Sequence, residues 1–275
     1  MPKSTNGHGY GESLCVTGRS ERCSTGGFAG RSDMTIGMVV LAASSGYLLG
    51  SISFARLVMR YAAPGEGFGP SRQQVPDSDI VFETDSVSAT TVRLKLGARY
   101  GCLTGILDML KAIVPTLCFR LWAPDAPYCL VSAAAVVAGH NWPLFNRFRG
   151  GRGLSTITGG LLVIDPVGLM IVIGSSGILA LVVGHLLILR WGWMILMIPW
   201  FGLARRDWAN LLYVIAVNTM FWFCMRNELR QYASIVKSGH APSQETVTTF
   251  MGAGAALGRF IDHWSLLGLI RRRRE

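Results

Sequence analysis

Long uncharged apolar runs alternate with short polar stretches along most of the chain. The first run begins after a polar segment rich in Gly and Ser (residues 1–33) and continues without a charge from Met34 to Ala55. A helix needs about 20 apolar residues to cross a bilayer, so this run predicts a membrane span. Further apolar runs predict spans near residues 100–119, 128–140, 191–204 and 208–225.

The apolar segment Leu154–Leu189 is too long for a single helix. We expect the small residues Gly174 to Gly177 to divide it into two helices. The pattern therefore predicts an all-α integral membrane protein, a bundle of about seven transmembrane helices. The polar stretch from Arg60 to about Arg99, which contains several prolines, is expected to be a long loop without a domain of its own.

These patterns divide the chain into three parts. Residues 1–33 are expected to be a disordered N-terminal extension, unless translation begins at Met34. Residues 34–237 form the membrane domain, and residues 238–275 form a basic tail that ends in Arg271 to Arg274.

Composition agrees with a membrane protein, and charge gives its orientation. Only 15% of the residues are charged, against about a quarter in soluble domains. With 26 basic and 16 acidic residues the net charge is +10. If the N-terminus is outside, most Lys and Arg fall in cytoplasmic segments, and the outer loops after Met34 hold only Arg120, Arg205 and Arg206. Because cytoplasmic loops collect such residues, we expect the C-terminus to be cytoplasmic.

The same basic excess favours anionic lipid head groups as partners, and we expect no nucleic-acid ligand. The scattered cysteines form no C-x-x-C pair and no cluster with His at metal-ligand spacing. We therefore expect neither a metal nor another cofactor. The sequence leaves the oligomeric state open.

The strongest chemical signal lies between the predicted third and fourth spans, in the sequence GHNWPLFNRFRGGRG. Gly150, Gly151 and Gly153 let the backbone bend and expose its amides just before a predicted helix, while Arg149 and Arg152 add guanidinium groups. Amides at a helix N-terminus and arginines both favour phosphate. A flexible, positively charged cytoplasmic loop without a ligand explains the composition as well.

The extended segment GHNWPLFNRFRGGRGLSTITG resembles the second signature of the bacterial acyl-phosphate:glycerol-3-phosphate acyltransferases, the PlsY family, which reads GH-x-x-P-V-F-x-x-F-K-G-G-K-G-V-A-T-x-x-G. Both family lysines are replaced by arginine, at Arg149 and Arg152. YLLGSISF from Tyr47, LDMLK from Leu107 and SATTV from Ser88 resemble other family segments. The family's G-S-G-N is Glu83-Thr84-Asp85-Ser86 here, and its H-R-E-N is Met225-Arg226-Asn227-Glu228.

The resemblance implies a seven-helix membrane enzyme that transfers an acyl chain from acyl phosphate to the 1-hydroxyl of sn-glycerol 3-phosphate. The products would be lysophosphatidate and phosphate, and the site would face the cytoplasm at the bacterial cell membrane. The residues implied as catalytic are His140, Arg149 and Arg152. Those implied in substrate binding are Ser51, Thr84, Ser86, Thr90, Arg93, Lys111, Gly150, Gly151, Gly153, Thr156 and Arg226.

The changed motifs leave a second function open, a non-catalytic or redirected membrane relative that binds a phospholipid or an anionic metabolite. Several residues also have structural alternatives. His140 could cap a helix, Asp108 and Lys111 could form a structural ion pair three residues apart, and Ser51 could bond a helix carbonyl.

Overall fold

The computed structural model describes residues 35–65, 71–74, 81–84, 86–237, 263 and 265, with the two strands described by their backbone alone. Chain contacts divide the protein into two units, Met1–Arg31 and Ser32–Glu275, and the fold described here belongs to the second. The predicted extension (1–33) lies outside the described residues, as does the predicted tail (238–275) apart from His263 and Ser265.

The fold is a set of helices with one small two-stranded ribbon. The helices are α1 Ile36–Gly50, α2 Phe54–Ala62, α3 Ala89–Leu96, α4 Ala98–Trp122, α5 Tyr128–Asn141, α6 Leu154–Ile164, α7 Pro166–Val183, α8 Trp193–Pro199 and α9 Trp208–Lys237, and the strands are β1 Ser71–Gln74 and β2 Val81–Thr84. Two π-helical segments, Ile188–Gly192 and Trp200–Arg205, extend α8 at both ends. Every apolar run that predicted a span is helical, so the helical class is confirmed.

Four segments of the described chain are long and apolar enough to cross a membrane: Ile36–Ala62, Ala98–Trp122, Pro166–Val183 and Trp208–Lys237. The first comprises both α1 and α2, which are separated by a short break at Ser51 to Ser53. Helix α6 is apolar but shorter. The predicted count of seven crossings and the predicted orientation stay predictions.

The predicted division of Leu154–Leu189 at Gly174 to Gly177 is wrong, because helix α7 continues through these residues. The division lies instead at Asp165 and Pro166. The Asp165 carboxylate accepts a hydrogen bond from the Gly168 amide (3.0 Å) and caps α7, and Pro166 occupies its first turn. Proline lacks an amide proton and starts helices well, whereas glycine inside a helix costs only about 1 kcal/mol.

The polar stretch from Arg60 to about Arg99, predicted to be a long loop, contains the antiparallel ribbon and the short helix α3. Ser71 pairs with Thr84, and Gln74 pairs with Val81. Pro70 and Pro76 lie outside β1 in the sequence, so neither removes a ladder hydrogen bond. The all-α prediction is corrected by these two short strands only.

Helices α1 and α5 pack with their backbones almost in contact. A Cβ on Gly46 would come 2.6 Å from the Ser132 carbonyl oxygen, and one on Gly50 or Gly139 would overlap backbone atoms of the other helix. Small residues allow this close approach between membrane helices. The C-terminal ends of α1 and α5 therefore lie side by side, and this placement builds one corner of the site described next.

Candidate active site

A glycine-rich loop connects α5 to α6 and turns back against the end of α5. It begins with a single 3-10 turn, Leu144–Asn146, and continues through Arg147 and Phe148, which both adopt positive φ angles (52° and 58°). The Phe148 amide donates to the Pro143 carbonyl (3.0 Å) and closes this turn. Non-glycine residues with positive φ are uncommon, so two in succession mark a strained segment.

The glycines of this loop lie directly on α5. The Gly151 amide donates to the His140 carbonyl (3.1 Å), and a Cβ on Gly151 would overlap the imidazole of His140. The carbonyl of Gly150 accepts from the Val87 amide (3.1 Å), which ties the loop to the segment that precedes α3. Only residues without a side chain fit at these positions.

Buried charged side chains of α4 contact the Nδ1 side of the His140 ring. Lys111 Nζ lies 2.9 Å from Asp108 Oδ1 and 2.9 Å from His140 Nδ1. It also donates to the carbonyls of Gly50 (3.1 Å) and Ile52 (2.8 Å), where α1 ends. An ammonium group has only donors, so Nδ1 of His140 accepts from it and the ring proton lies on Nε2. In this arrangement Nε2 carries the donor, and it lies on the side of the ring that faces Gly151.

A cavity of about 1030 Å³ opens beside the loop, and we call it the outer cavity. Its walls carry Arg56, Arg147, Arg149, Arg152 and Arg226. Trp142, Phe145 and Phe223 form an apolar part of the same walls. The Arg226 guanidinium stacks 4.0 Å above the ring of Phe223. Arginines bind phosphate with paired donors, so this cavity is suited to an anion that carries an apolar group.

A smaller cavity of about 60 Å³, the inner cavity, is lined by the end of the same loop and the start of α6. It is lined by Thr90, Asp108, His140, Arg152 and Arg190 among others. Arg152 lines both cavities, and its guanidinium forms an ion pair with Glu228 of α9.

Arg190 brings a further positive charge to the inner cavity. Its Nη2 donates to Thr90 Oγ1 (3.1 Å), and it lies in the π-helical segment Ile188–Gly192, outside the four candidate spans. Burial, together with the charges of Arg152 and Arg93, lowers the pKa of Arg190 to about 10. Because like charges crowd here, a bound anion would relieve their repulsion.

Among the residues that the structure describes, no group of three or more His, Cys, Asp or Glu side chains could hold a metal ion. The two cavities are lined by guanidinium, imidazole, hydroxyl, amide and carboxylate groups, the carboxylates being those of Asp108 and Glu228. These groups bind and orient anions and hydroxyls.

The family model described as glycerol-3-phosphate acyltransferase matches residues 78–234, more than half of the chain. The chain belongs to the PlsY family of glycerol-3-phosphate acyltransferases. This match covers α3 to α9 and hence most of the two cavities.

Curated PlsY relatives agree in sequence. The chain is 32% identical over 142 residues to glycerol-3-phosphate acyltransferase 5 of Dehalococcoides mccartyi, covering 50% of this chain and 54% of that protein. It is 34% identical over 139 residues to the glycerol-3-phosphate acyltransferase of Anaeromyxobacter sp., covering 49% and 62%. The matched part thus spans about half the length of these relatives.

Two crystal structures of PlsY, an integral membrane glycerol 3-phosphate acyltransferase, share the fold. Its glycerol 3-phosphate form matches with a TM-score of 0.57 at 22% identity, covering 74% of this chain and 93% of that one. Its lysophosphatidic acid form matches with a TM-score of 0.59 at 21% identity, covering 77% and 98%. The similarity supports a multi-pass membrane protein.

The structure gathers most of the PlsY-like site residues around the two cavities. Ser86, Arg149, Gly150, Gly151, Arg152 and Arg226 line the outer cavity. Thr90, His140, Arg152 and Gly153 line the inner cavity. The prediction for the Thr84 side chain lies outside the described part, because only the backbone of β2 is described there.

Four other predicted residues line neither of these cavities. The Ser51 hydroxyl donates to the Tyr47 carbonyl (2.8 Å) and accepts from the Leu144 amide (3.2 Å). Thr156 donates to the Gly153 carbonyl (2.7 Å). Lys111 is buried beside Nδ1 of His140, and Arg93 is exposed on α3.

The expectation that glycine amides hold phosphate needs one correction. The Gly151 amide already donates to the His140 carbonyl, so its hydrogen bond holds the loop in place.

Sequence reasoning missed Arg56, Asn141 and Arg190 as site residues. Arg56 and Arg190 each flank an apolar run as an isolated cation. In the sequence Arg190 counts only towards the positive charge of the cytoplasmic segments, and Arg56 carries no prediction. Asn141 follows His140 and carries no charge, so its type gave no signal.

Proposed function

We propose that this protein transfers an acyl chain from acyl phosphate to the 1-hydroxyl of sn-glycerol 3-phosphate. The observation that carries the proposal is the outer cavity, whose lining combines arginines and aromatic rings with the Gly-rich loop. Both substrates are phosphate esters or anhydrides, and one has a long apolar chain. The family membership supports the same reaction class.

In this reaction the acceptor hydroxyl attacks the carbonyl carbon of the acyl phosphate. The bond between that carbon and the phosphate oxygen breaks, an ester bond forms, and the hydroxyl proton leaves with inorganic phosphate. The donor is an activated anhydride, so no covalent enzyme intermediate is needed. Positioning and charge stabilisation supply the rate.

Arg149 and Arg152 bind phosphate oxygens in this mechanism, with Arg226 and Arg190 as supporting cations. His140 donates from Nε2–H and so orients a bound phosphate or the acceptor. Its orientation depends on Lys111, which holds Nδ1. Ser51, Thr156 and Lys111 are positioning residues, because their contacts are made with the protein.

The proposal includes a topology. Seven crossings with the N-terminus outside put the Gly-rich loop, Arg190 and the end of α9 on the cytoplasmic side of a bacterial cell membrane. Short helices such as α6 then count as crossings within the bundle. The basic residues of these segments favour this orientation.

The test is phosphate release by the detergent-purified protein from palmitoyl phosphate, measured with and without glycerol 3-phosphate. We expect release that depends on the acceptor, and a loss of at least about 100-fold in Arg152→Ala. Arg120→Ala is the control, because Arg120 donates to the Ile164 carbonyl and lines neither cavity. Full activity of folded Arg149→Ala and Arg152→Ala would overturn the roles given to these arginines.

One observation favours the second candidate, a protein that binds an anionic lipid or metabolite without turnover. Glu228 pairs with Arg152 and reduces the positive charge at the junction of the cavities. Stabilisation by glycerol 3-phosphate in a thermal-shift assay, without phosphate release from palmitoyl phosphate, would support this binder over the enzyme.

A further inference from the structure

Asn141, a lining residue of the outer cavity, has side-chain polar atoms without a hydrogen-bond partner in the described part of the chain. Asn141, the last residue of α5, is 3% exposed and lines this cavity. Neither its Nδ2 nor its Oδ1 has a hydrogen-bond partner. In the described part of the chain, no other buried amide side chain leaves both atoms in this condition. An unsatisfied buried amide destabilises a folded protein, so a ligand that satisfies it is expected.

Asn141 lies against the Gly-rich loop, which contributes residues to both cavities. A Cβ on Gly153, whose φ is +81°, would come 2.8 Å from Asn141 Oδ1. The backbone carbonyl oxygen of Asn141 would be 2.7 Å from a Cβ on Gly150. The amide therefore lies beside the backbone that carries Arg152, the residue shared by both cavities.

The chemistry of a carboxamide indicates which part of a ligand it fits. The amide has donors on Nδ2 and an acceptor on Oδ1, whereas a phosphate oxygen only accepts. A hydroxyl group both donates and accepts, so a hydroxyl satisfies the two sides of the amide together. The arginines of the same cavity already supply the donors that a phosphate requires.

We propose that Asn141 hydrogen-bonds the hydroxyl groups of the acyl acceptor and thereby selects a polyol phosphate over a simple alkyl phosphate. This inference rests on the proposed function, because it concerns the acceptor of that reaction. The arginines hold the phosphate, and Asn141 recognises the hydroxyls next to it. Asn141 is thus a specificity-determining residue of the outer cavity.

The experiment measures binding to the purified full-length protein with three probes: glycerol 3-phosphate, n-propyl phosphate and inorganic phosphate. Wild type is expected to bind glycerol 3-phosphate more tightly than n-propyl phosphate. Asn141→Leu removes the amide and keeps the number of side-chain heavy atoms. We expect it to weaken glycerol 3-phosphate binding about threefold to tenfold, the range for one neutral hydrogen bond, and to leave the other two probes unchanged.

Asn218→Leu is the matched control. Asn218 is also buried, but its Nδ2 donates to the Val214 carbonyl (2.9 Å) and it lines neither cavity. Its replacement should leave all three affinities unchanged. The melting temperature of ligand-free Asn141→Leu is expected to equal or exceed that of wild type, because a buried unsatisfied amide is lost. If Asn141→Leu does not fold, Asn141→Ala supplies the same comparison between glycerol 3-phosphate and n-propyl phosphate.

Because ligand binding is measured without turnover, its result can be compared with phosphate release, and the role of Asn141 and the acyl transfer reaction are tested independently. Phosphate release that depends on glycerol 3-phosphate, with an unchanged preference over n-propyl phosphate in Asn141→Leu, would overturn the role of Asn141 and leave acyl transfer standing. Selective loss of glycerol 3-phosphate binding in a protein that never releases phosphate would support Asn141 and overturn acyl transfer. A wild type that does not prefer glycerol 3-phosphate overturns the inference about Asn141.

Discussion

Lys111 Nζ donates to His140 Nδ1 across 2.9 Å, and this contact joins α4 to the end of α5 inside the bundle. The same ammonium group holds Asp108 and two carbonyls at the end of α1. One buried cation thus fixes the tautomer of His140 and the meeting point of three helices. Both roles can be tested separately.

Replacing Lys111 should damage stability and activity together. Lys111→Met leaves the Asp108 carboxylate buried without its cation, and removal of one partner of a buried ion pair costs about 3–5 kcal/mol. We expect a matching fall in the free energy of unfolding in detergent. The double variant Asp108→Asn/Lys111→Met should recover much of this loss without recovering kcat, since Nδ1 of His140 stays unsupported. Full kcat in the double variant would contradict the role given to the tautomer.

Arg190 should contribute to anion binding while destabilising the ligand-free protein. Its pKa in the folded protein, about 10, lies below its ordinary value, so the charged group opposes folding at pH 7. This cost disappears as pH rises above 10 towards the ordinary pKa of a guanidinium group. Arg190→Gln is expected to raise KM for the phosphate substrates about tenfold or more, the range for a hydrogen bond to a charged group. Its melting temperature at pH 7 should not fall.

Thr90→Val is the companion variant for Arg190, because it removes the hydroxyl that Nη2 bonds and keeps every charge. A smaller rise in KM is expected than for Arg190→Gln. Equal effects of the two variants would mean that the hydrogen bond, and not the positive charge, supports binding.

Glu228 should weaken substrate binding through its ion pair with Arg152. Glu228→Gln keeps a hydrogen-bond acceptor and removes the negative charge. Because the pair is partly exposed, we expect KM for glycerol 3-phosphate to fall by up to about fivefold, measured by phosphate release. A rise in KM would instead indicate that the carboxylate contacts the substrate directly.

Asp165 should matter for folding and not for the reaction. Its carboxylate caps α7, accepts from Trp200 Nε1 (2.9 Å) and pairs with Arg205 Nε (3.2 Å). Asp165→Ala is expected to cost about 2–4 kcal/mol of unfolding free energy, because a cap and a buried donor's partner are lost. Asp165→Asn should cost less, and neither variant should change KM. A raised KM would connect this end of α7 to the site.

Sequence predicts the local features of this fold better than the contacts between residues that are distant along the chain. Apolar runs predicted the helices because each run carries its own signal in about 20 residues. The division at Asp165 and Pro166 was also present in the sequence, as a capping residue followed by proline, but glycines were given more weight. The partners of Lys111 could not be predicted, because the carbonyls of Gly50 and Ile52 become neighbours only when α1 packs against α4 and α5.

The same contrast between local signals and distant contacts applies to the residues of the site. Arg149, Arg152 and the glycines between them were predictable, since one short segment contains all of them. Arg190 reaches Thr90 only because a π-helical segment turns it towards α3. The role of Asn141 is inferred from its burial and its missing hydrogen-bond partners, and neither property can be predicted from the residue type.

The glycine contacts between α1 and α5 also determine which parts of the protein can move. Helices whose backbones touch at Gly46, Gly50 and Gly139 cannot slide past one another without steric overlap, so we expect them to move as one block. His140 and Asn141 end that block and keep their positions. Any widening of the outer cavity to admit a lipid chain or discharge a product is therefore expected to come from α9, which brings Arg226 and Glu228 to the opposite wall.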